Sequence, residues 1–352
     1  MAYTTIPKSS AYFTPTLYTG NYSTNAITGV GFQPDLVWMK TRTTAGENHY
    51  LFDAIRGVTK YLHSDTSASQ GTNSATLTAF GSDGFTVGAN NSVNKSGEPL
   101  VSWNWKAGTA VSGATTGSGT AKTYTGSVNT TSGLSIVSYT GNGTAGHTIP
   151  HNLGVAPTCI ILKRYDGGTT RWFVYILNNG DSNGSTSWLE LNTNDSIWNS
   201  RTEFNSTTPT SSVFSVGSQS DVNTNGSTYI AYCFAEKQGF SKFGSYTGNG
   251  STNGSYIHLG FKPAWVLIKR ANTNGDDWQL SDSKRGVNGA IKTSYANTSA
   301  PETSSDSIDH LSNGFKNRAV SVARNGSGST YTYMAFAEEP FVSTNGQPAT
   351  AR

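Results

Sequence analysis

The chain has 352 residues and a formal net charge of +3, and charged residues make up only 13% of it. So small and dispersed a charge argues against the basic surface of a nucleic-acid-binding protein, and we expect no nucleic-acid partner. Tryptophan, tyrosine and phenylalanine number 8, 17 and 15, which argues against a disordered chain.

The N-terminal segment, residues 1–17, is too short for a domain and is predicted to be an arm. Its first residues, Met1 to Lys8, lack the apolar stretch of a secretory signal peptide. No apolar run in the chain approaches the roughly 20 residues that span a bilayer, so we expect no membrane insertion.

One sequence pattern occurs three times along the rest of the chain. Each copy opens with Tyr-Thr-Gly-Asn, at positions 18–21, 139–142 and 246–249. Each then reaches a proline and a short apolar run that ends in lysine; the lysines are Lys40, Lys163 and Lys269. The spacing of about 100 residues is the size of a whole domain. It exceeds the roughly 20 to 50 residues of a solenoid repeat.

The local signals are almost entirely those of β-structure. Short apolar runs such as Leu36 to Lys40 suit strands buried on both faces, and Asn-Gly pairs between the runs favour hairpin turns. The best helical candidate is a turn or two around Asp53 to Leu62. We therefore predict an all-β fold of three tandem antiparallel β-sandwiches, jelly-roll or lectin-like in type.

The predicted domains follow the repeats. Repeat 1 spans 18–106, repeat 2 spans 126–237, and repeat 3 spans 238–352 with a C-terminal tail. The segment 107–125 is mostly Gly, Ser, Thr and Ala and is predicted to be a flexible linker. Repeats 2 and 3 are expected to be held rigidly together, while repeat 1 swings.

Six motifs stand out along the chain: Ser10 to Phe13, residues 18–21, Gly31 to Lys40, Asp53 to Leu62, Ser82 to Gly88 and Trp103 to Gly108. They resemble a repeat found in virion structural proteins of marine tailed phages, cyanophages among them, often in tail-fibre-like proteins. The resemblance covers nearly the whole chain and is weakest in repeat 2, which lacks an Arg-Gly-Val element. It implies a β-sandwich, a virion location after assembly in the host cytoplasm, and other virion proteins as partners. It transfers no catalytic residues.

Catalytic and metal-binding patterns are weak. Glycan cleavage needs two facing carboxylates; Glu190 is the best single candidate, but we interpret it as an outward strand residue. His147 and His151 have the spacing of a helical metal site, but Pro150 argues against a helix. We therefore expect no enzyme activity, no metal and no cofactor.

The two cysteines, Cys159 and Cys233, each lie in an apolar run and read as small buried hydrophobes, with a disulfide between them as the alternative.

Aromatic residues beside amides and hydroxyls suggest binding, because sugar rings stack on aromatic faces and bond at their rims. The candidate glycan contacts are Trp172, Trp188, Trp198 and Trp278, with sandwich core as the alternative interpretation. Trp103 and Trp105 share one strand face. That face is either core or is covered by a neighbouring subunit, so the candidate assembly contacts are Tyr12, Phe13, Trp103 and Trp105.

The sequence thus favours a non-enzymatic phage virion protein, a tail-fibre or tail-appendage subunit with host-surface polysaccharide as a candidate ligand. The alternative is a capsid decoration or head-fibre protein, and a polysaccharide-degrading enzyme is the less favoured third class. Because few charges protect the strand edges, we also predict a homo-oligomer, with a trimer favoured.

Overall fold

The structure is a computed structural model that describes residues 4–180, 186–199, 201–304 and 307–342. Its sheets are antiparallel throughout, and the α-helices have four residues each. This confirms the predicted all-β fold. In the described ranges no helix is long and apolar enough to cross a membrane.

Repeat 1 is a small sandwich. Its main sheet has the strand order β1-β9-β3-β4, and a smaller sheet, β2-β8-β7, covers the outer face. The elements are a 3₁₀ turn at Ser9–Ala11, β1 (Phe13–Thr19), β2 (Asn25–Ile27), β3 (Leu36–Thr41), β4 (Tyr50–Asp53), β5 (Lys60–Tyr61), β6 (Gly71–Thr72), β7 (Leu77–Gly81), β8 (Gly84–Val87), α1 (Asn91–Asn94) and β9 (Pro99–Trp105).

Repeat 2 has the same plan with a wider main sheet, ordered β10-β12-β13-β19-β15-β16-β17, and a small sheet ordered β11-β14-β18. The elements are β10 (Thr109–Ala114), β11 (Thr116–Gly117), β12 (Thr123–Asn129), β13 (Leu134–Thr140), β14 (His147–Pro150), β15 (Cys159–Arg164), β16 (Trp172–Ile176), β17 (Leu189–Glu190), β18 (Val213–Val216), α2 (Ser220–Asn223) and β19 (Thr228–Phe234).

Repeat 3 returns to the plan of repeat 1. Its main sheet is ordered β20-β28-β22-β23-β24-β25 and its small sheet β21-β27-β26. The elements are β20 (Ser241–Thr247), β21 (Tyr256–His258), β22 (Phe261–Arg270), β23 (Gln279–Asp282), β24 (Lys292–Tyr295), β25 (Thr303–Ser304), β26 (Ile308–Leu311), β27 (Gly314–Asn317), α3 (Val322–Asn325) and β28 (Thr330–Pro340).

Two local predictions were wrong. The segment 107–125 is not a free linker: β10 and β12 form a hairpin on the edge of β13, and β11 pairs with β14. Backbone hydrogen bonds build these strands, so a composition of Gly, Ser and Thr does not reveal them. The predicted helical turns around Asp53 to Leu62 are instead non-helical turns between β4 and β5.

The Tyr-Thr-Gly-Asn signature forms a corner against the short helix of its repeat. In repeat 1 the Tyr18 hydroxyl donates to the Val93 carbonyl at 2.8 Å. The fully buried Asn94 side chain accepts from the Asn21 backbone N–H at 3.0 Å and donates to the Ser23 carbonyl at 2.6 Å. Equivalent bonds join Tyr139 to Val222, Tyr246 to Arg324, Asn142 to Asn223 and Asn249 to Asn325.

The inner faces of the three main sheets share one central core. Their middle strands, β3, β15 and β22, are buried along nearly their whole length because each has the small sheet outside and this core inside. An aromatic trio lies at one end of the core, with Phe336 at 5.6 Å from Trp105 and 5.5 Å from Phe234 between ring centroids. The three repeats therefore form a closed, three-lobed body.

This closure corrects the predicted assembly contacts. Trp103, Trp105 and Phe13 are buried, with Phe13 5.2 Å from Phe336 of repeat 3. Tyr12 is partly buried and packs edge-on against Phe240 at 6.2 Å. Repeat 1 is therefore packed against repeat 3 rather than free to swing, and the aromatic faces assigned to a neighbouring subunit are covered within the chain. The homotrimer itself stays a prediction.

The signature glycine should tolerate no side chain. A Cβ on Gly20 would lie 2.1 Å from the Lys95 carbonyl oxygen, which is main chain and cannot turn aside. Gly20→Ala should therefore lower the free energy of unfolding by about 2 kcal/mol or more, measured by chemical denaturation. The matched control is Gly81→Ala, whose Cβ would meet its nearest atom at 3.6 Å. A similar loss of unfolding free energy in both variants would contradict the inference that the corner at Gly20 has no room for a side chain.

Candidate functional site

Neighbouring repeats meet along three seams, named by the repeats they join: seam 1–2, seam 2–3 and seam 1–3. At each seam a ring nitrogen on the main sheet of one repeat donates to a carbonyl of the other. The donors occupy equivalent positions in the strand register, and so do the acceptors. The bonds run from Trp172 to His63 at 2.8 Å, from Trp278 to Glu190 at 2.7 Å, and between His49 and Tyr295 at 3.0 Å.

His49 can fill a tryptophan's place because its tautomer is set. The Trp38 indole N–H donates to His49 Nδ1 at 2.9 Å, which leaves the proton on Nε2 for the Tyr295 carbonyl. Burial holds the pKa of His49 well below its usual value, so the ring stays neutral.

Backbone bonds repeat around the ring as well. At each seam a backbone N–H of one repeat donates to a backbone carbonyl of the other. That carbonyl belongs to the residue two places after the lysine that recurs in every repeat. These bonds run from Gln70 to Tyr165 at 3.1 Å, from Ile197 to Ala271 at 2.8 Å, and from Glu302 to Arg42 at 2.8 Å. The seams are therefore three versions of one interface.

The Asp-x-x-Arg-Gly element serves two of the seams. Asp53 accepts from the Tyr232 hydroxyl at 2.8 Å, and Asp282 accepts from the Trp103 indole at 3.0 Å. Each aspartate also pairs with a buried arginine of its own turn; the pairs are Asp53 with Arg56 at 2.6 Å and Asp282 with Arg285 at 2.5 Å.

At the third seam both partners are apolar. Ile176 stands at the aspartate position, and Met334 stands at the position of the donors Trp103 and Tyr232. Repeat 2 can therefore lack the Arg-Gly-Val element without leaving a buried polar group unpaired.

The three conserved lysines are buried at the seams. Lys163 Nζ donates to the Ser67 carbonyl of repeat 1 at 2.8 Å, and Lys269 Nζ donates to the Asn194 carbonyl of repeat 2 at 3.2 Å. Lys40 bonds its own strand end, at the Thr41 carbonyl. Burial lowers the pKa of Lys163 to about 7, and the pKa of Lys40 and Lys269 to about 8.

Seam 2–3 departs from the shared pattern by opening a cleft. Ala271 stands where seam 1–2 has Tyr165, whose hydroxyl lies 2.9 Å from the Ser138 hydroxyl. The same position in seam 1–3 is Arg42, which pairs with Glu302 at 2.7 Å. The small side chain leaves a cleft of about 230 Å³, lined by Gly180, Ser196, Ile197, Asn199, Ala271, Asn272 and Thr330.

A second depression of about 260 Å³ adjoins the cleft and shares Ser196 and Ile197 with it. Its other lining residues are Asp195, Trp198 and Asn274. We call the cleft and this depression together the seam 2–3 groove. No sequence motif predicts this groove. The one indication in the sequence is Ala271, which follows Lys269 and Arg270 at a position where the other two repeats have large residues.

The structure corrects three of the four candidate glycan contacts. Trp172, Trp188 and Trp278 are fully buried, and their indole N–H groups are bonded, that of Trp188 to Glu203 at 2.9 Å. Trp198 is partly exposed and lines the groove. One neighbour of its ring is Trp188, stacked at 5.8 Å, and the Arg201 guanidinium lies 4.7 Å from its centre.

Glu190 is not the outward strand residue that we predicted. It is only 3% exposed, and its carboxylate pairs with Arg171 at 2.9 Å beside the groove. Burial raises its pKa, and the Arg171 charge opposes that shift. The backbone carbonyl of Glu190 accepts the Trp278 seam bond, so the residue has a clear role in joining repeats 2 and 3.

The histidine pair is engaged in local bonds. His147 lies 3.0 Å from the Asn223 side chain and 2.6 Å from the Thr115 hydroxyl, and His151 lies 3.1 Å from the Thr210 carbonyl. Across the described part of the chain, no group of three or more His, Cys, Asp or Glu residues could hold a metal ion.

The alternative of a disulfide is wrong. Cys159 and Cys233 are both free and buried. They lie on adjacent strands, but Cys159 faces the central core and Cys233 faces the outer core of repeat 2.

The fold and the groove define a three-repeat, all-β protein with a closed ring of seams and one seam opened into a cleft. A family described as "Domain of unknown function (DUF7483)" matches residues 8–340, and the chain belongs to that family. No curated protein matches the sequence.

Because the three lysines are buried, we predict that the free energy of unfolding rises with pH. Their folded pKa values, about 7 to 8, lie below the ordinary 10.5, so the unfolded chain binds more protons above about pH 7. Between pH 6.5 and 8.5 the free energy of unfolding should increase by about 3.5 kcal/mol. Above that range the buried thiols, whose pKa values are raised, act in the opposite direction.

Denaturant titrations at several pH values would measure this slope. Lys163→Met removes the group that titrates lowest and should flatten the slope, whereas Lys60→Met, at an exposed position, should leave it unchanged. A slope that is flat in the unaltered protein would contradict the prediction.

Proposed function

We propose that this protein is a non-enzymatic structural subunit of a phage virion, part of a tail fibre or tail appendage. The observation that supports this most is the closed ring of seams. It makes one chain into a rigid, three-lobed body whose large aromatic surfaces are buried. Such a body suits a static part of a particle better than an enzyme that opens and closes.

The surface that remains is consistent with a structural role outside the cell. Charged residues are only 13% of the chain, and the buried carboxylates of Asp53 and Asp282 are engaged in joining repeats. Surface loops are rich in Asn, Ser and Thr. The resemblance to marine tailed-phage virion proteins points the same way.

A capsid decoration or head-fibre protein is the second candidate. The pseudo-three-fold arrangement favours it, because a three-lobed body can sit over a three-fold position of a shell with each lobe making a similar contact. The two candidates differ in copy number, with tens of copies or fewer for a tail part and hundreds for a shell protein.

The first test is the position of the protein in the intact particle. Antibody-gold labelling and quantitative mass spectrometry of purified virions should find it on the tail in low copy number. Labelling of the head, with hundreds of copies, would replace the tail proposal with the decoration proposal. Absence from purified particles would overturn both.

The second test concerns catalysis. Incubation of the purified protein with host-surface polysaccharide should release no reducing ends. The Glu190 carboxylate is held by Arg171, and the neighbouring acid, Asp195, lies within hydrogen-bond reach of it, too close for a glycosidic bond to fit between the two carboxylates. Turnover that disappears in Glu190→Gln but persists in Glu98→Gln, a buried carboxylate in repeat 1, would show that the protein is an enzyme.

A further inference from the structure

We propose that the seam 2–3 groove binds a neutral oligosaccharide. The starting observation is that this seam alone among three equivalent interfaces has exchanged a large side chain for Ala271. Seams 1–2 and 1–3 have Tyr165 and Arg42 at the equivalent position, each engaged in a polar contact. The shared backbone bond from Ile197 to Ala271 is kept at 2.8 Å, so the interface stays closed while its side-chain space is open.

The chemistry of the lining suits sugar hydroxyls. The cleft presents the amides of Asn199 and Asn272 and the hydroxyls of Ser196 and Thr330, over an apolar floor that includes Ile197. The Asn272 amide oxygen accepts from the Thr330 backbone N–H at 3.2 Å, which fixes that amide in place. Amide groups both donate and accept, as hydroxyls do, so they pair with neighbouring hydroxyls of a sugar ring. The apolar floor can cover the C–H face of the same ring.

The charges around the groove favour a neutral ligand. Among the residues that the structure describes, none that lines the cleft is ionisable, and Asp195 is the one acid that lines the second depression. Two nearby arginines are paired, Arg171 with Glu190 at 2.9 Å and Arg270 with Asp276 at 3.1 Å. Apart from Arg201, whose guanidinium lies 4.7 Å from the centre of the Trp198 ring, an acidic polysaccharide would therefore find these positive charges already paired.

The groove is also pre-formed. The Ser196 backbone N–H donates to the Asn274 side chain at 2.7 Å, and the Gly275 N–H donates to the Asn194 carbonyl at 2.9 Å. These bonds fix the loop between Asn194 and Trp198 against repeat 3, so a ligand need not order it. Because the cleft and the second depression share Ser196 and Ile197, an oligosaccharide can contact both.

This inference deepens the proposed function by naming a ligand class, and it rests on a role at the host surface. Its test uses the purified chain alone, so it can fail while the virion location is confirmed, and the reverse. The probes are maltotetraose, cellotetraose, mannotetraose and chitotetraose as neutral oligosaccharides, and tetragalacturonate as the acidic one. Saturation-transfer-difference NMR and titration calorimetry measure binding.

At least one neutral tetrasaccharide should bind. Ala271→Tyr, which restores the residue of seam 1–2, should weaken that binding at least tenfold. Val287→Tyr is the matched control, because it adds the same bulk at a position that is 61% exposed in repeat 3, and it should change nothing. If Ala271→Tyr unfolds, the double variant Asn199→Ala and Asn272→Ala removes the two exposed amides instead.

Three results would overturn the proposal. One is that none of the four neutral probes binds. Another is that binding is unaffected by both cleft variants. The third is that tetragalacturonate binds and the neutral probes do not, which would point to Arg201, beside Trp198, as the determinant of an acidic ligand.

Discussion

Everything in this structure depends on main sheets that are apolar on both faces. Each repeat covers the outer face of its own main sheet with a small sheet, as a sandwich does. The inner face of β3, β15 or β22 has no cover within its own repeat, and only the other two repeats supply one. A single repeat would expose that face to water, so the repeats are stable together and closure of the ring is part of folding.

The seams then set how the lobes are oriented. Burial of apolar surface has no direction, whereas the ring nitrogens of Trp172, Trp278 and His49 each reach one carbonyl across a seam. Leaving such a buried carbonyl unpaired costs about 1 to 3 kcal/mol. The seams therefore specify one register for the lobes. At seam 2–3 Ile176 and Met334 stand at the acceptor and the donor position, so neither position is left with a buried polar group that lacks its partner.

The sequence predicted the parts better than their arrangement. Leu36 to Lys40 reads as a strand buried on both faces, and it is one, because an uninterrupted apolar run has that meaning in any sheet. The Tyr-Thr-Gly-Asn signature marked the repeat, but its partner Asn94 is 73 residues from Asn21 in the chain, so the contact between the two could not be predicted from local sequence. For Trp103 and Trp172 the sequence left a core and a contact interpretation open, because their partners, Asp282 and the His63 carbonyl, belong to other repeats.

The candidate groove could not be predicted from single residues either, but comparison of the three repeats reveals it. Asn199 or Ala271 says nothing about binding when it is considered alone, and Trp198 is one of four tryptophans with similar neighbours in the sequence. Once the three seams are aligned, each position in one seam can be compared with the equivalent positions in the other two. A residue that differs from both of its equivalents requires an explanation. Ala271 is such a departure, because an alanine loses the packing that Tyr165 and Arg42 supply at the same position. Comparison of the three repeats thus distinguishes residues that join the lobes from residues that the closed ring does not require. A binding function can develop at residues of the second kind.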